Sequence, residues 1–440
     1  MEKFIVEGGS KVHGEIKVSG AKNVAMKVIL TGLLTSKPIY VKNVPLISSV
    51  QGTADLVRHL GVKVKISEDH TLEIKGNGIH NHIIPLEMGG LYRSATMVLG
   101  PLLHLFGKAV VPNPGGCRLG LRPIDWHIQG LRKMGAKIKY DQGYFYAAAN
   151  KLHGVRFKFP KNSHTGTETL ILAAVKAKGE TVLENASQEP EVDDLINLLN
   201  KMGTRIKRIR SRSIVIEGVN KLSGTEFTVM PDRNEAVTFA MLAIAAKGSV
   251  LINGAQRGKL LSFLRSLDAI GVRYQVIDEN RIKFKSQSKF RPLKIKTLPH
   301  PGFMTDWQAP WTLLMTQANG KSEVHETIFE NRFNYVKELI KMGAKINLFH
   351  PKVNNPLKFY NFDWTPHHHL CQGIKISGPT PLHDGILNVS DLRAGATLVL
   401  AASIAQGKST IFGVEHIDRG YEKIESRLNS LGVQISRLTD

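Results

Sequence analysis

Lys133-Met134-Gly135-Ala136-Lys137 has five near-copies along the chain: His59-Leu60-Gly61-Val62-Lys63, Lys201-Met202-Gly203-Thr204-Arg205, Ala269-Ile270-Gly271-Val272-Arg273, Lys341-Met342-Gly343-Ala344-Lys345 and Ser430-Leu431-Gly432-Val433-Gln434. Their glycines are spaced by 74, 68, 68, 72 and 89 residues. In each copy a helical pattern runs into a glycine and continues as aliphatic residues alternating with polar, mostly basic ones. Glycine suits the left-handed position just past a helix, and a period of two marks a half-buried strand. A unit that recurs six times decides the fold before any single residue does.

A second signature keeps step with the first, an apolar helix that breaks and returns as a strand. Its breaks fall at Ser36, Gly107, Gly179, Gly248, Gly320 and Gly407. These helices, such as Thr238 to Ala246, are apolar on more than one face, so they are expected to be buried. The reading is an α/β protein of two globular domains, three units each, with helices packed inside sheets. The long last interval places an insert near 347–379, between Asn347 and Pro379, rich in Pro, Asn and His and expected as a surface loop or added hairpin. Within it, His367-His368-His369 are adjacent residues of an extended loop and cannot all face one ion, so they read as a solvated turn. Cys371 is assigned no role.

With 59 Lys and Arg against 37 Asp and Glu, the chain carries a net charge of +22, which favours anionic partners: nucleic acid, a membrane surface or phosphorylated metabolites. Two distant cysteines in 440 residues form no disulfide framework, which points to a reducing cytosol. No apolar run reaches the length of a membrane span, and the first ten residues lack a signal-peptide core, so a cytoplasmic protein is expected.

The stretch from Val111 to His127 holds three prolines, three glycines and Cys117. Neither a regular helix nor a central strand can run through it, so a shaped loop is expected. Arg118 and Arg122 flank the thiol with positive charge, which favours thiolate and marks Cys117 as reactive rather than packed. Charged residues also recur where the apolar helices begin: Lys22, Arg93, Asp232-Arg233, Asp306 and Asp391-Leu392-Arg393. Lys22, Arg93 and Arg393 oppose the helix dipole there, an arrangement that an anionic ligand would reconcile.

Ser19-Gly20-Ala21-Lys22-Asn23, Pro114-Gly115-Gly116-Cys117, Gly120-Leu121-Arg122-Pro123-Ile124-Asp125, Pro231-Asp232-Arg233, Pro299-His300-Pro301 with Thr305-Asp306, Phe329-Glu330-Asn331-Arg332-Phe333, Asp391-Leu392-Arg393 and His416-Ile417-Asp418-Arg419-Gly420-Tyr421-Glu422 together resemble the motifs of the UDP-N-acetylglucosamine enolpyruvyl transferases. The resemblance runs nearly end to end apart from the insert. It implies transfer of the enolpyruvyl group of phosphoenolpyruvate to the 3-hydroxyl of UDP-N-acetylglucosamine, the first committed step of peptidoglycan synthesis. It implies the two-domain inside-out α/β barrel, with one domain at 22–230 carrying the Cys117 lid loop and the other formed by 1–21 plus 231–440.

Carried over by position, the resemblance makes Lys22 and Asn23 contacts of phosphoenolpyruvate and sugar, with Arg122 and Arg393 near the phosphate and Arg419 near the carboxylate. Arg93, Arg122, Pro123, Ile124, Asp125 and Trp126 would hold the UDP-sugar, with Lys161, Asn162, Ser163, His164, Asp306 and Ile328. Arg332 and Asp391 join the substrate-binding set. Cys117 becomes the mobile acid, alkylated by the epoxide fosfomycin, Lys22 a catalytic cation and Asp306 the candidate base. No metal or organic cofactor, nucleic acid or membrane insertion is implied. The chain departs from the family pattern at Ser163-His164-Thr165-Gly166, Met97 and Trp126, all near the expected nucleotide pocket. Two other readings are an enolpyruvyl transferase acting on a different nucleotide or phosphorylated acceptor, and an RNA-binding or RNA-end-processing protein. Against RNA, the basic residues are spread along strands and no aromatic-rich reading motif is present.

Overall fold

A computed structural model describes residues 2–90, 92–115, 120, 123–286 and 289–439; Cys117 and Arg122 lie outside them. All six glycines of the repeat adopt positive φ: 101° at Gly61, 102° at Gly135, 101° at Gly203, 83° at Gly271, 95° at Gly343 and 91° at Gly432. Each stops an amphipathic helix. The helices are Ser48–His59, Asp125–Lys133, Pro190–Lys201, Leu261–Ile270, Val336–Lys341 and Ile424–Asn429. In Pro190–Lys201 the buried Val192, Leu195, Ile196 and Leu199 recur at helical spacing and form one stripe. Beyond each glycine the chain enters the strand that the alternation announced, such as Lys63–Ile66 or Lys137–Asp141.

The second helix of each repeat has no polar face. Every residue of Arg233–Ala245 and of Gln308–Met315 is buried, as are those from Leu392 to Ser403. Gln308–Met315 packs against both Arg233–Ala245 and Leu392–Ile404, and in the other half Leu99–Phe106 packs on His164–Ala174. Among the described residues, six small sheets enclose these helices. The sheets share one pattern, illustrated by the first: Thr225–Thr228 runs parallel to Ile39–Lys42, which is antiparallel to Leu72–Lys75, which is antiparallel to Lys63–Ile66. The sheet of Lys108–Pro112, Tyr144–Ala148 and Lys137–Asp141 has three strands, with Ile83 bridging Val110 where the fourth would be.

Two compact units result, one of 2–19, 120 and 231–439, the other of 20–115 and 123–230. Each holds three sheets around its own buried helices, the inside-out α/β arrangement. Distant segments complete them. The amino-terminal strand Glu2–Glu7 lies between Lys408–Phe412 and Gln434–Thr439, antiparallel to both, and His13–Lys17 runs parallel to Ser249–Asn253.

In the insert region, Lys345–Phe349 and Gly373–Gly378 are regular antiparallel strands of the fifth sheet, so the extra length lies at 350–372 and carries one short helix, Pro356–Phe359. The histidine triple is not wholly a solvated turn. His367 and His369 are exposed, but His368 meets Gln372 Nε2 at 2.7 Å and tilts over Phe362 with centroids 5.4 Å apart.

Gly203 and Gly61 separate backbone strain from crowding. A Cβ on Gly203 meets nothing within 4 Å, whereas on Gly61 it would lie 2.1 Å from the Gly78 carbonyl oxygen. Urea unfolding of Gly203→Ala is expected to show a loss of about 1–2 kcal/mol, the conformational cost alone. Gly61→Ala is expected to lose clearly more, and equal losses would contradict the close approach.

Candidate functional site

The sequence-predicted residues fall into two groups, one in each unit. In the 20–230 unit, Lys22 opens the buried helix Lys22–Leu30, whose N-cap Ala21 provides no side-chain cap. Both Lys22 and Asn23 are half-buried. Arg93 begins the helical turn Arg93–Val98, and its Nη2 donates to the Pro123 carbonyl at 2.8 Å. That bond fixes the start of Asp125–Lys133, where Ile124 is the N-cap, Asp125 is exposed and Trp126 packs against the core. The shaped loop is therefore shorter than Val111–His127: a strand ends at Pro112 and the helix starts at Asp125.

His127, one turn into this helix, is 1% exposed, and its Nε2 lies 2.9 Å from Thr165 Oγ1. Burial and then the Arg93 charge push its imidazole down to about 3. Ser163 caps His164–Ala174 by accepting from the Gly166 N–H at 3.1 Å. Lys161 and Asn162 precede it, half-buried. His164 Nε2 reaches Glu168 Oε1 at 3.0 Å, and Lys27 Nζ reaches Glu168 Oε2 at 3.3 Å. Burial opposes a charge on His164, but the Glu168 carboxylate and its hydrogen bond outweigh it and hold the imidazole above its ordinary value.

Lys22's helix, Arg93, the 123–126 segment and the 161–164 segment are thus joined through His127 and Glu168. Neither connector stood out in the sequence reading. The signal for Glu168 and Lys27 was present, a charge set among the aliphatic residues of each helix, and opposite charges so placed are buried only when paired. Met97, one of the departures from the family pattern, is 1% exposed and belongs to the core.

In the 231–439 unit the starts of three buried helices converge. Asp306 lies in the turn Thr305–Trp307 that leads into Gln308–Met315, and it caps neither. Its Oδ1 accepts from Arg332 Nη2 at 2.8 Å and its Oδ2 from Arg393 Nη2 at 3.5 Å. Asp391 caps Leu392–Ile404 through the N–H groups of Arg393 and Ala394, and it lies 3.9 Å from Arg332 Nη1. Arg393 Nη1 donates to Tyr421 Oη at 2.9 Å, and Tyr421 Oη meets Thr238 Oγ1 at 2.7 Å.

Burial works against the Arg393 charge, but Tyr421, Asp306 and Asp232 together hold the guanidinium firmly protonated. The cation at a helix start is thus answered by carboxylates as well as by any ligand. Ile328 donates its backbone N–H to Glu326 Oε1 at 2.8 Å; Glu326 also accepts from Thr305 Oγ1 at 2.9 Å, and burial raises its carboxyl above the usual range. Arg419 follows the short helix Glu415–Asp418, two residues before Tyr421. Gly120, at φ 121°, is in a backbone conformation that favours glycine, and a Cβ there would fall 1.5 Å from a Glu330 carboxylate oxygen, so that side chain would have to shift. Among the described residues no cluster of three or more His, Cys, Asp or Glu could hold a metal ion.

The whole chain is similar to known proteins. The family model of EPSP synthase (3-phosphoshikimate 1-carboxyvinyltransferase) matches residues 6–428. A UDP-N-acetylglucosamine 1-carboxyvinyltransferase of Acidobacterium capsulatum is 38% identical, covering 100% of this chain and 96% of its own. The protein of that name from Prochlorococcus marinus is 41% identical over 98% of this chain and 90% of its own. Among solved structures, the enolpyruvyl transferase NikO of Streptomyces tendae superposes with a TM-score of 0.88 at 21% identity, covering 100% of this chain and 99% of its own. EPSP synthase of Acinetobacter baumannii gives 0.73 at 19%, covering 100% of both chains. At such identities the two structures speak to the fold alone.

His127 supplies a test of the first group. The unfolded chain takes up a proton below the ordinary histidine value of 6.5, which the folded imidazole refuses until about 3. Between those limits this group therefore lowers stability as pH falls, by about 1.4 kcal/mol per pH unit, and above them it contributes nothing. His127→Asn is expected to flatten the acid limb of stability against pH by that slope in urea titrations; an unchanged slope would show that the folded imidazole protonates.

Proposed function

The chain belongs to the carboxyvinyl (enolpyruvyl) transferase family, with the UDP-N-acetylglucosamine 1-carboxyvinyltransferases, and from that premise we propose that its two groups of residues bind and join phosphoenolpyruvate and UDP-N-acetylglucosamine. It is a transferase that moves the enolpyruvyl group to the sugar 3-hydroxyl and releases phosphate, a step of peptidoglycan synthesis. The observation that carries the site assignment is Asp306 held between Arg332 and Arg393 where buried helices begin. Two guanidiniums beside helix N-termini suit a donor bearing phosphate and carboxylate, because charge-assisted bonds are strong where water is excluded.

In this reading Asp306 takes the proton of the 3-hydroxyl as its oxygen bonds to the central carbon of the enolpyruvyl group. The 3.5 Å contact at Oδ2 is the weaker of its two arginine bonds and the one a hydroxyl would replace. Cys117 delivers a proton to the methylene carbon, giving a tetrahedral intermediate. Return of that proton and cleavage of the carbon–oxygen bond to phosphate regenerate the double bond in the product. Arg393 and Arg122 hold the phosphate, Arg419 holds the carboxylate, and Lys22 contacts phosphoenolpyruvate and the sugar. Asn23 and Asp391 complete the donor side. Arg93 and Pro123 to Trp126 take the nucleotide sugar with Lys161 to His164 and Ile328.

The two units serve as the two domains of the enzyme, and no organic cofactor or metal takes part. No described helix is long and apolar enough to cross a membrane, and a cytoplasmic location is part of the proposal.

Asp306→Asn keeps the shape but not the charge, and about 10²–10⁴-fold of kcat is expected to be lost with a folded protein by circular dichroism. Near-wild-type turnover would remove Asp306 from the chemistry. Cys117 is expected to gain the mass of fosfomycin when UDP-N-acetylglucosamine is present, whereas Cys117→Asp retains turnover and stays unmodified; an unreactive Cys117 would contradict the acid assignment.

A further inference from the structure

The four other complete hairpins of the repeat turn within a few residues, from Ile66 to Leu72, Asp141 to Tyr144, Arg210 to Ser213 and Asp278 to Arg281. The fifth does not. Between Phe349 and Gly373 the chain makes a long excursion that folds back over the outer face of its own sheet. Its aromatic residues order it. Phe359 stacks on His325 of the strand Gly320–His325, with centroids 5.1 Å apart and planes at 30°, and Tyr360 Oη meets His325 Nε2 at 3.1 Å. Tyr360 and Phe362 stack at 4.8 Å and are buried. Nothing in the family chemistry above calls for this construction.

What the excursion builds is an open surface cleft of about 510 Å³, lined by the exposed Lys296, Lys352 and Lys358 with His325, Phe359 and the 353–355 turn. Lys352 and Lys358 come from the excursion and Lys296 from the strand Lys294–Lys296, its Nζ 4.9 Å from the Phe359 ring centre. No Asp or Glu lines the cleft among the described residues, and none of the three lysines is in an ion pair there. The one nearby carboxylate on the strand, Glu323, is held by Lys294 at 2.9 Å. Burial, then the Lys296 charge, push the His325 imidazole down to about 4, while Glu323 acts in the opposite direction; the cleft refuses a proton. Cations gathered on one cleft repel one another, and an anion among them removes that cost.

We propose that the 350–372 excursion and the strand face beneath it form a second anion site, distinct from the Asp306 cluster, for a small phosphate-bearing molecule. Lysine ammoniums bind phosphate as point charges without demanding a fixed fork, which suits all three being exposed.

The site is tested with inorganic pyrophosphate and the full chain, by calorimetry at fixed ionic strength and by the His325 ring signal in NMR. In the wild-type protein pyrophosphate is expected to raise the pH at which His325 titrates, since a neighbouring anion favours imidazolium. In the exposed double variant Lys352→Ala/Lys358→Ala, and in Lys296→Ala, this binding is expected to weaken by about tenfold or more, a loss of about 1.4 kcal/mol. Turnover without added pyrophosphate is expected to be unchanged in the double variant. Pyrophosphate held at the catalytic residues would survive all these substitutions and leave His325 unmoved, so failure of this site and failure of the proposed function are read separately. A His325 signal indifferent to pyrophosphate, or one that responds equally in wild type and variants, overturns the proposal.

Discussion

A helix that is apolar on every side has no surface to give to water, and this chain contains several. Arg233–Ala245, Gln308–Met315 and Leu392–Ile404 are enclosed almost entirely, so each needs partners all around it. A single sheet covers one side of one helix. Three helices packed on each other and wrapped by three sheets satisfy all of them together, which is why the repeat occurs in threes and why strands as remote in sequence as Glu2–Glu7 and Gln434–Thr439 are brought side by side. The amphipathic helices and the glycines after them serve this enclosure by turning the chain back into a sheet after each pass.

Enclosure also determines where chemistry can happen. Side chains inside the buried helices touch only protein, so functional groups gather at the helix starts, where unsatisfied N–H groups and the dipole favour negative charge. In the 231–439 unit two of those starts carry capping aspartates, Asp232 and Asp391, and Asp306 at the third lies between two arginines. Removing any one partner from such a buried network leaves an uncompensated charge, at a cost of several kcal/mol, so the geometry is held before substrate arrives.

Much of this was legible in the sequence because glycine's role is local. A left-handed residue after a helix needs glycine whatever surrounds it, so six glycines announced six helix ends, and all six have positive φ. Period also carried: the all-apolar helices are the buried ones. Pairings across distance were not legible. Nothing in Thr225–Thr228 says that it lies beside Ile39–Lys42, and the regular strand Gly373–Gly378 was hidden in what read as an insert. At the site, charges at helix starts could be picked out by position, whereas Glu168 and His127 act through contacts made only in the folded chain. Met97, read as lying near the expected nucleotide pocket, is buried in the core.

In the reaction proposed for it, this arrangement joins one anionic three-carbon donor to one nucleotide-sugar hydroxyl. Phosphate release from phosphoenolpyruvate, measured against a panel of acceptors, tests it most directly. Release is expected with UDP-N-acetylglucosamine and not with shikimate 3-phosphate, free N-acetylglucosamine or RNA. Release with another acceptor at equal or greater rate, or none with UDP-N-acetylglucosamine, would contradict it.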